Sequence, residues 1–148
     1  MKLKLEITIN KPRVEVWKAF TTPGNINKWQ PSLVKIEPVS GTPGQPGAVS
    51  KLNYEESGRE FSLIEKITYR DEPDQFDVIY ENEFTDNPVK NVFIEQGDNE
   101  TLWIVEAEYK FKTFAMKLFG PLLKRNFVRR TQKEMERFKQ MAESPQEV

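Results

Sequence analysis

Residues 7–31 read ITINKPRVEVWKAFTTPGNINKWQP, and this stretch carries the strongest local signals for the fold. Its first residues complete an alternation of apolar and polar side chains over 3–9, which is typical of a half-buried strand. Pro12 then favours the first turn of a helix, where its missing N–H costs nothing. The sequence TPGN at 22–25 ends that helix, and a second short helical turn is predicted over 26–29.

The chain from Leu33 to about Lys112 predicts a succession of strands separated by turn residues. We place the strands at 33–40, 48–56, 59–70, 75–84, 88–97 and 100–112. The separators suit hairpins or short loops, so an antiparallel meander is predicted. Two of them are Asp86-Asn-Pro88 and the glycine-rich stretch 41–47, which lacks the Gly-Lys-Ser/Thr ending of a phosphate-binding loop. The last strand alternates most clearly, and one of its faces carries Thr101, Trp103, Val105, Ala107, Tyr109 and Phe111.

A helical pattern runs over about 114–143, with apolar residues recurring every three or four positions. Gly120-Pro121 must kink this helix or mark its true start, because Pro lacks an N–H and clashes with the preceding turn. Residues 113–123 are apolar on both faces and need a second surface, which is a ligand, a membrane or another subunit. We expect a disordered tail at 144–148, and the sequence predicts a single domain over 1–148.

The composition excludes several classes of chemistry. The 148 residues include no Cys and no His, so there is no disulfide, thiolate nucleophile, imidazole base or histidine-ligated metal. No Asp-rich calcium loop is present, and neither a metal nor another cofactor is expected. With 22 basic and 23 acidic residues the net charge is −1, which gives no overall attraction to nucleic acid. No apolar run could span a bilayer, no export signal is visible, and the composition fits a cytoplasmic location.

Motifs spread along the chain carry a family resemblance. The spacing Ile9-x-x-Pro12-x-x-x-Val16-Trp17-x-x-Phe20, followed by Trp29-x-Pro31, resembles the opening of the polyketide cyclase/dehydrase and lipid-transfer superfamily, also called START-like or SRPBCC. The glycine-rich turn at 41–47, the Glu65-x-Ile67 pair, Glu100-Thr101-x-Trp103 and the end of the terminal helix are similar too.

The resemblance implies an α+β helix-grip fold. In that fold a curved seven-stranded antiparallel sheet wraps around a long C-terminal helix, two short helices follow strand 1, and an elongated apolar cavity lies between sheet and helix. The superfamily includes ligand carriers, cyclases and hydrolases, so the fold does not fix the function.

Aromatic residues are concentrated where the sheet should face the helix. Each of them alone is better explained by packing, but together they predict an amphipathic cavity for a hydrophobic ligand with one or two polar groups. The predicted ligand-binding residues are Trp29, Tyr54, Phe61, Glu65, Phe76, Tyr80, Trp103, Tyr109, Phe111, Leu118, Leu122 and Arg125.

Glu65 falls in phase with the apolar residues of its strand, on the face that we expect to point inward. Carboxylates are rarely buried without a partner, so either the strand phase is wrong or bulged, or Glu65 pairs with Arg125 or Arg59. If the chain is an enzyme, the candidate catalytic residues are Glu65, Tyr80 and Arg125.

Basic residues dominate 124–139 of the terminal helix. A solvated outer face explains this run without any partner, whereas a membrane surface or an acidic partner could also exploit it.

The sequence therefore leaves three functions open. The first is binding or transport of a small hydrophobic ligand in the internal cavity. The second is a cyclase- or dehydratase-type enzyme that uses Glu65 with Tyr80 or Tyr109 as acid and base. The third is a partner-binding module of the Hsp90-activator type, which would use an exposed apolar patch. The expected partner is a small hydrophobic ligand, without nucleic acid or stable membrane insertion, and a homodimer is left open.

Overall fold

The computed structural model describes residues 1–145, and its largest element is an antiparallel sheet. The strands are β1 (Lys2–Ile9), β2 (Leu33–Ser40), β3 (Val49–Glu56), β4 (Arg59–Asp71), β5 (Gln75–Glu81), β6 (Thr85–Glu95), β7 (Thr101–Glu108) and the short β8 (Lys110–Phe111). Their order is β1-β7-β6-β5-β4-β3-β2, and β8 pairs with β6. Consecutive strands from β2 to β7 are neighbours, which confirms the predicted meander, and β1 completes the sheet beside β7.

The helices lie where the sequence predicts them, with one interruption. They are α1 (Arg13–Thr21), α2 (Ile26–Trp29), α3 (Phe114–Phe119) and α4 (Lys124–Glu143), and a 3-10 turn (Gly120–Leu123) separates the last two. The predicted break at Gly120-Pro121 is therefore real, and the regular long helix begins after it. Its 20 residues span about 30 Å. Sheet, short helices and long terminal helix together form the predicted helix-grip fold.

The β3–β4 hairpin shows how local sequence fixes a turn. Ser57 and Gly58 both have positive φ, at 52° and 77°, and Glu56 pairs directly with Arg59 across the turn. A two-residue loop of this kind matches the twist of the flanking strands, and glycine takes such a φ without steric cost.

The β5–β6 hairpin corrects one sequence prediction. The turn was predicted at Asp86-Asn-Pro88, but it lies at 82–84, where the Asn82 side chain accepts hydrogen bonds from the backbone N–H groups of Phe84 and Thr85, both at 2.8 Å. Pro88 lies inside β6, between the residues that pair with β7 and those that pair with β8. A proline is tolerated in a strand where the ladder of hydrogen bonds is interrupted.

A bulge in β4 reverses the phase of its last residues. The alternation through Glu65 and Ile67 predicts that Tyr69 also faces inward. The register with β5 shifts between Ile67 and Tyr69, so Tyr69 is instead 45% exposed. The Arg70 guanidinium instead lies over the Trp17 ring, 5.6 Å from its centroid. Because the bulge comes after Glu65, that residue keeps the inward phase predicted for it.

The main core lies where α1, α2 and α4 cover the inner face of β1, β6 and β7. Its buried residues are Ile9, Val16, Trp17, Ala19, Trp29, Phe93, Trp103, Val105, Met135, Phe138 and Ala142. The last three confirm the apolar stripe predicted for the terminal helix. The end of α4 is fastened to β1 because Lys139 donates a hydrogen bond to the Thr8 carbonyl. Of the predicted tail 144–148, residues 146–148 lie outside the described part of the chain.

Candidate functional site

A partly open cavity of about 260 Å³ lies between the inner face of the sheet and the first half of α4. The space is left by small side chains on β6 and β7, which are Val89, Val105 and Ala107. Phe20, Trp29 and Trp103 form the wall that it shares with the core. The cavity is therefore the part of the sheet–helix interface that the large core side chains do not fill.

The remaining wall carries an unusual share of polar groups. It includes Gln30, Tyr54, Tyr80, Asn82, Thr85, Asn87, Asn91, Tyr109, Arg130, Thr131 and Glu134. Several of these groups are already satisfied within the protein. The Tyr54 hydroxyl donates to the Gln30 side-chain oxygen at 3.0 Å, and the Asn91 oxygen accepts from the Trp103 indole N–H at 3.1 Å. Such internal hydrogen bonds hold the polar side chains in fixed positions.

Trp29 differs from Trp103 in this respect. Its ring lines the cavity, and among residues 1–145 its buried indole N–H has no hydrogen-bond partner. A buried donor without a partner is costly, by about 1 to 3 kcal/mol, and is rare in folded proteins. Trp29, a residue of the cavity wall, therefore carries a buried donor that is unpaired within the described residues, as Trp17 does in the core.

Glu134 is the most perturbed acid of the cavity wall. Burial raises its pKa from 4.5 to about 7, although Arg130 and Arg137 act in the opposite direction. The Arg130 guanidinium lies 3.7 Å from the Glu134 carboxylate and also 3.3 Å from that of Glu56, and it covers the Phe61 ring at 5.7 Å. A carboxyl group with a pKa near neutrality can exchange a proton with a ligand at physiological pH.

Three tyrosines of the cavity wall also have raised pKa values. Burial is the main reason why the pKa values of Tyr54, Tyr80 and Tyr109 are raised, and the Glu134 charge raises each of them further. Tyr109 also stacks on Phe127 of α4, with ring centroids 4.5 Å apart. The hydroxyl groups consequently stay protonated and act as neutral hydrogen-bond donors or acceptors.

Glu65 has a different partner from those the sequence suggested. It is directly opposite Tyr80 in the β4–β5 register, and the two side chains interact. Burial raises the pKa of Glu65, whereas the Tyr80 hydroxyl opposes this rise. Neither Arg125 nor Arg59 takes part in this interaction. Tyr80 lines the cavity, and Glu65 is beside it on the neighbouring strand, outside the cavity wall.

Comparison with known families decides where the chain belongs. The model of the family described as polyketide cyclase / dehydrase and lipid transport matches residues 1–143. The chain belongs to this family. The sequence resemblance is thereby confirmed over nearly the whole chain. No curated protein sequence is significantly similar to it.

Solved structures agree with the fold of the family. Ara h 8.0201 superposes with a TM-score of 0.79 at 21% identity, and the match covers 96% of this chain and 97% of that one. TTHA0849 from Thermus thermophilus gives 0.76 at 14% identity, covering 96% and 97%. Norcoclaurine synthase from Thalictrum flavum, in complex with dopamine and hydroxybenzaldehyde, gives 0.71 at 14% identity, covering 99% and 89%. At such identities the likeness shows the START-like fold alone.

In this family member the predicted ligand-binding residues fall into two groups. The cavity wall contains Trp29, Tyr54, Phe61, Tyr80, Trp103 and Tyr109. The others lie elsewhere. Phe76 packs edge-on against Trp17 and Phe20 in the core, and Phe111 packs against Gly120. Leu118, Leu122 and Arg125 are exposed, because the turn before α4 carries this part of the chain to the surface.

Sequence reasoning missed the polar residues of the α4 face. Thr131 and Glu134 follow Phe127 at helical spacing and continue the stripe that Met135 and Phe138 occupy deeper in the core. This spacing was visible in the sequence, but Glu134 stands among basic residues and resembles a member of a solvated face. The asparagines of the β5–β6 hairpin gave no comparable signal.

Two further properties concern the described residues only. Within 1–145 no group of three or more acidic residues is arranged to hold a metal ion. The same residues contain no helix that is long and apolar enough to cross a membrane.

Proposed function

We propose that the protein binds a small, mostly apolar molecule with one or two polar groups in the cavity beside α4. The observation that carries the proposal is a cavity whose apolar wall ends at polar side chains, among them the unpaired indole N–H of Trp29. An apolar ring would lie against Phe20 and Val105, and an acceptor on the ligand would meet Trp29. Binding would then satisfy a donor that the free protein leaves without a protein partner.

The volume limits the size of the ligand. A cavity of about 150 Å³ holds a benzene molecule, so the 260 Å³ found here suits a molecule of roughly ten non-hydrogen atoms. A two-ring phenol meets this limit, whereas a long-chain fatty acid does not. The family description includes lipid transport, and the size argument favours a compact ligand within that broad class. As part of the same proposal, the chain acts as a single domain in the cytoplasm.

Titration with naphthol, a fluorescent two-ring phenol, tests this proposal. We expect one saturable site, a rise in melting temperature by mass action, and no binding of oleate. Ala107→Phe places a ring in the cavity and should reduce naphthol affinity at least tenfold. Lys51→Phe is the matched control, because Lys51 is exposed on the far face of β3. Equal affinity in wild type and A107F would show that naphthol binds outside the cavity.

Acid–base catalysis on a ligand in the same cavity is a second candidate, and the observation that favours it is Glu134. Its pKa near 7 suits proton transfer at physiological pH, and Tyr109 and Tyr80 line the same cavity. Native mass spectrometry of protein purified from its own host separates the two functions. A carrier should yield the same co-purifying molecule from wild type and Glu134→Gln, whereas an enzyme should yield product from the first and substrate from the second.

A further inference from the structure

The segment just before α4 exposes large apolar side chains. We name residues 114–123 the apolar segment. Phe114 is 81% exposed, Leu122 77% and Leu118 58%. Of its members only Gly120 is buried. Phe and Leu side chains exposed together, rather than singly, mark a surface that a partner covers.

The apolar segment is an ordered part of the fold. The Thr113 side chain accepts a hydrogen bond from the Met116 N–H at 3.1 Å and so caps α3. At the other end a Cβ added to Gly120 would lie only 2.5 Å from the Phe111 ring, so the backbone sits directly on β8. These two attachments present the apolar side chains outward in a fixed arrangement.

Basic residues lie within and directly after the apolar segment along the chain. The basic residues from 113 to 133 are Lys117, Lys124, Arg125, Arg129, Arg130 and Lys133, and this stretch contains no Asp or Glu. The whole chain has a net charge of −1, so basic residues are concentrated in this stretch, where, within the described residues, Arg130 alone is paired with acids, Glu56 and Glu134. Apolar side chains next to Lys and Arg suit the interface of an anionic lipid bilayer. The apolar side chains would lie at the boundary of the acyl chains, and the Lys and Arg side chains would lie at the headgroups.

We propose that the apolar segment docks the protein reversibly on anionic lipid membranes. Phe114, Leu118 and Leu122 enter the interface, while Lys124 and Arg125 contact the lipid phosphates. The contact is peripheral, because a six-residue helix and a single turn cannot span a bilayer.

The charge pattern disfavours a second copy of the chain as the occupant. A two-fold dimer joins the same patch on both subunits, and each subunit would bring the same cluster of basic residues to the interface. Like charges brought together in this way oppose association. An anionic membrane instead offers the opposite charge over the whole surface.

The docking surface is continuous with the cavity. Phe127 follows the apolar segment by one turn of α4 and lines the cavity, where it stacks on Tyr109. If the proposed ligand-binding function holds, docking of the protein on a membrane would bring this wall of the cavity next to the lipid. A ligand dissolved in the membrane could then enter with a short passage through water.

Co-sedimentation of the full chain with vesicles tests the docking. We expect binding to vesicles that contain phosphatidylglycerol, little binding to phosphatidylcholine alone, and weaker binding at high salt. The double variant Lys124→Gln/Arg125→Gln should lose roughly 25-fold in affinity, about fivefold for each charge. Phe114→Ser/Leu122→Ser should lose at least roughly tenfold, because the variant removes the buried apolar contact.

Val34→Ser/Val39→Ser is the matched control, since both valines are exposed, at 59% and 62%, on β2 far along the chain from the segment. We expect this control to bind vesicles with the same affinity as wild type.

The proposal is overturned if wild type does not bind anionic vesicles, or if the apolar double variant binds them as tightly as wild type. A concentration-dependent dimer that only F114S/L122S abolishes would overturn it in favour of self-association. Naphthol affinity, measured on the same variants, reports separately on the cavity.

Discussion

The inner face of the sheet meets the helices in two regions that differ in how completely they are filled. In the aromatic core the Phe138 ring lies 4.9 Å from Trp103 and 5.6 Å from Trp29, centroid to centroid, and the side chain is 0% exposed. Ala107 follows Trp103 by four positions on the same face of β7. Its side chain is small, and the cavity opens beside it. The same strand therefore builds a packed region and an empty one.

Side-chain chemistry explains why the second region stays open. The core residues are large and apolar, so they gain free energy from every contact that closes a gap. The cavity wall combines small residues with Tyr, Asn and Glu side chains whose polar atoms need partners. Collapse of that wall would bury those atoms unpaired. The comparison suggests that stability comes from the core and binding from the cavity.

Phe138→Ala tests the aromatic core and should cause the largest loss of folding stability. The change removes a completely buried ring that contacts Phe20, Trp29 and Trp103. We expect a loss of about 3 to 5 kcal/mol in the free energy of unfolding, measured by urea denaturation. Leu63→Ala, at a half-buried cavity position, is the control and should cost clearly less. Equal losses would mean that the cavity region is packed as tightly as the core.

Glu134→Gln tests the polar cavity wall through the pH dependence of folding stability. The folded pKa of about 7 lies above the ordinary 4.5, so the folded protein holds this proton more tightly than the unfolded chain. The stability that the protonated group provides is complete below about pH 4.5 and is lost as the pH rises through 7.

We therefore expect E134Q and wild type to match at low pH and E134Q to be more stable by about 3 kcal/mol at pH 8. Thermal melts across this range measure the difference. Glu136→Gln, on the exposed side of α4, is the control and should show no such divergence. Parallel curves for E134Q and wild type would place the Glu134 carboxyl group in contact with bulk water.

Tyr54→Phe should cause an intermediate loss of folding stability. It removes the hydroxyl that donates to the Gln30 side chain at 3.0 Å and leaves that oxygen, on a residue only 8% exposed, without its partner. A loss of about 1 kcal/mol in the free energy of unfolding is expected. Tyr69→Phe should change stability very little, because Tyr69 is 45% exposed. A neutral Y54F would indicate that water replaces the lost hydroxyl.

Phe114→Ser/Leu122→Ser should have the smallest effect on stability. Both side chains are more than three-quarters exposed, so their removal should change the free energy of unfolding by less than about 0.5 kcal/mol per residue. Urea denaturation measures this directly. A loss comparable to that of F138A would show that the apolar segment packs against the body of the protein, and its exposed face would then need no partner.

The strand pattern and its turns could be predicted closely because they depend on neighbouring residues. The β3–β4 turn at Ser57-Gly58 and the helix break at Gly120-Pro121 follow from backbone preferences, which act locally. The β5–β6 turn was misplaced because Pro88 is a strong turn signal. Its tolerance inside β6 depends on a change of partner strand, which no local pattern reveals.

The candidate site was predictable only in part. Aromatic residues in phase along the strands, such as Tyr54, Tyr80 and Tyr109, could be assigned to the inner face, and they do line the cavity. Leu118 and Leu122 share the apolar character of core residues, but the turn before α4 exposes them. A sequence shows which residues are apolar, whereas the path of the chain decides whether they are covered.

The sequence by itself determined the order of strands and helices and the absence of thiol and imidazole chemistry, because these depend on periodicity, turn residues and composition. The resemblance of its motifs to a known family supplied the rest of the fold. The tertiary structure alone decided which side chains surround the empty volume and which acid among them has a pKa near neutrality. Glu134 illustrates the reason: its burial depends on strands far away in sequence. Desolvation is a property of everything packed around a group, and only the folded chain brings those neighbours together.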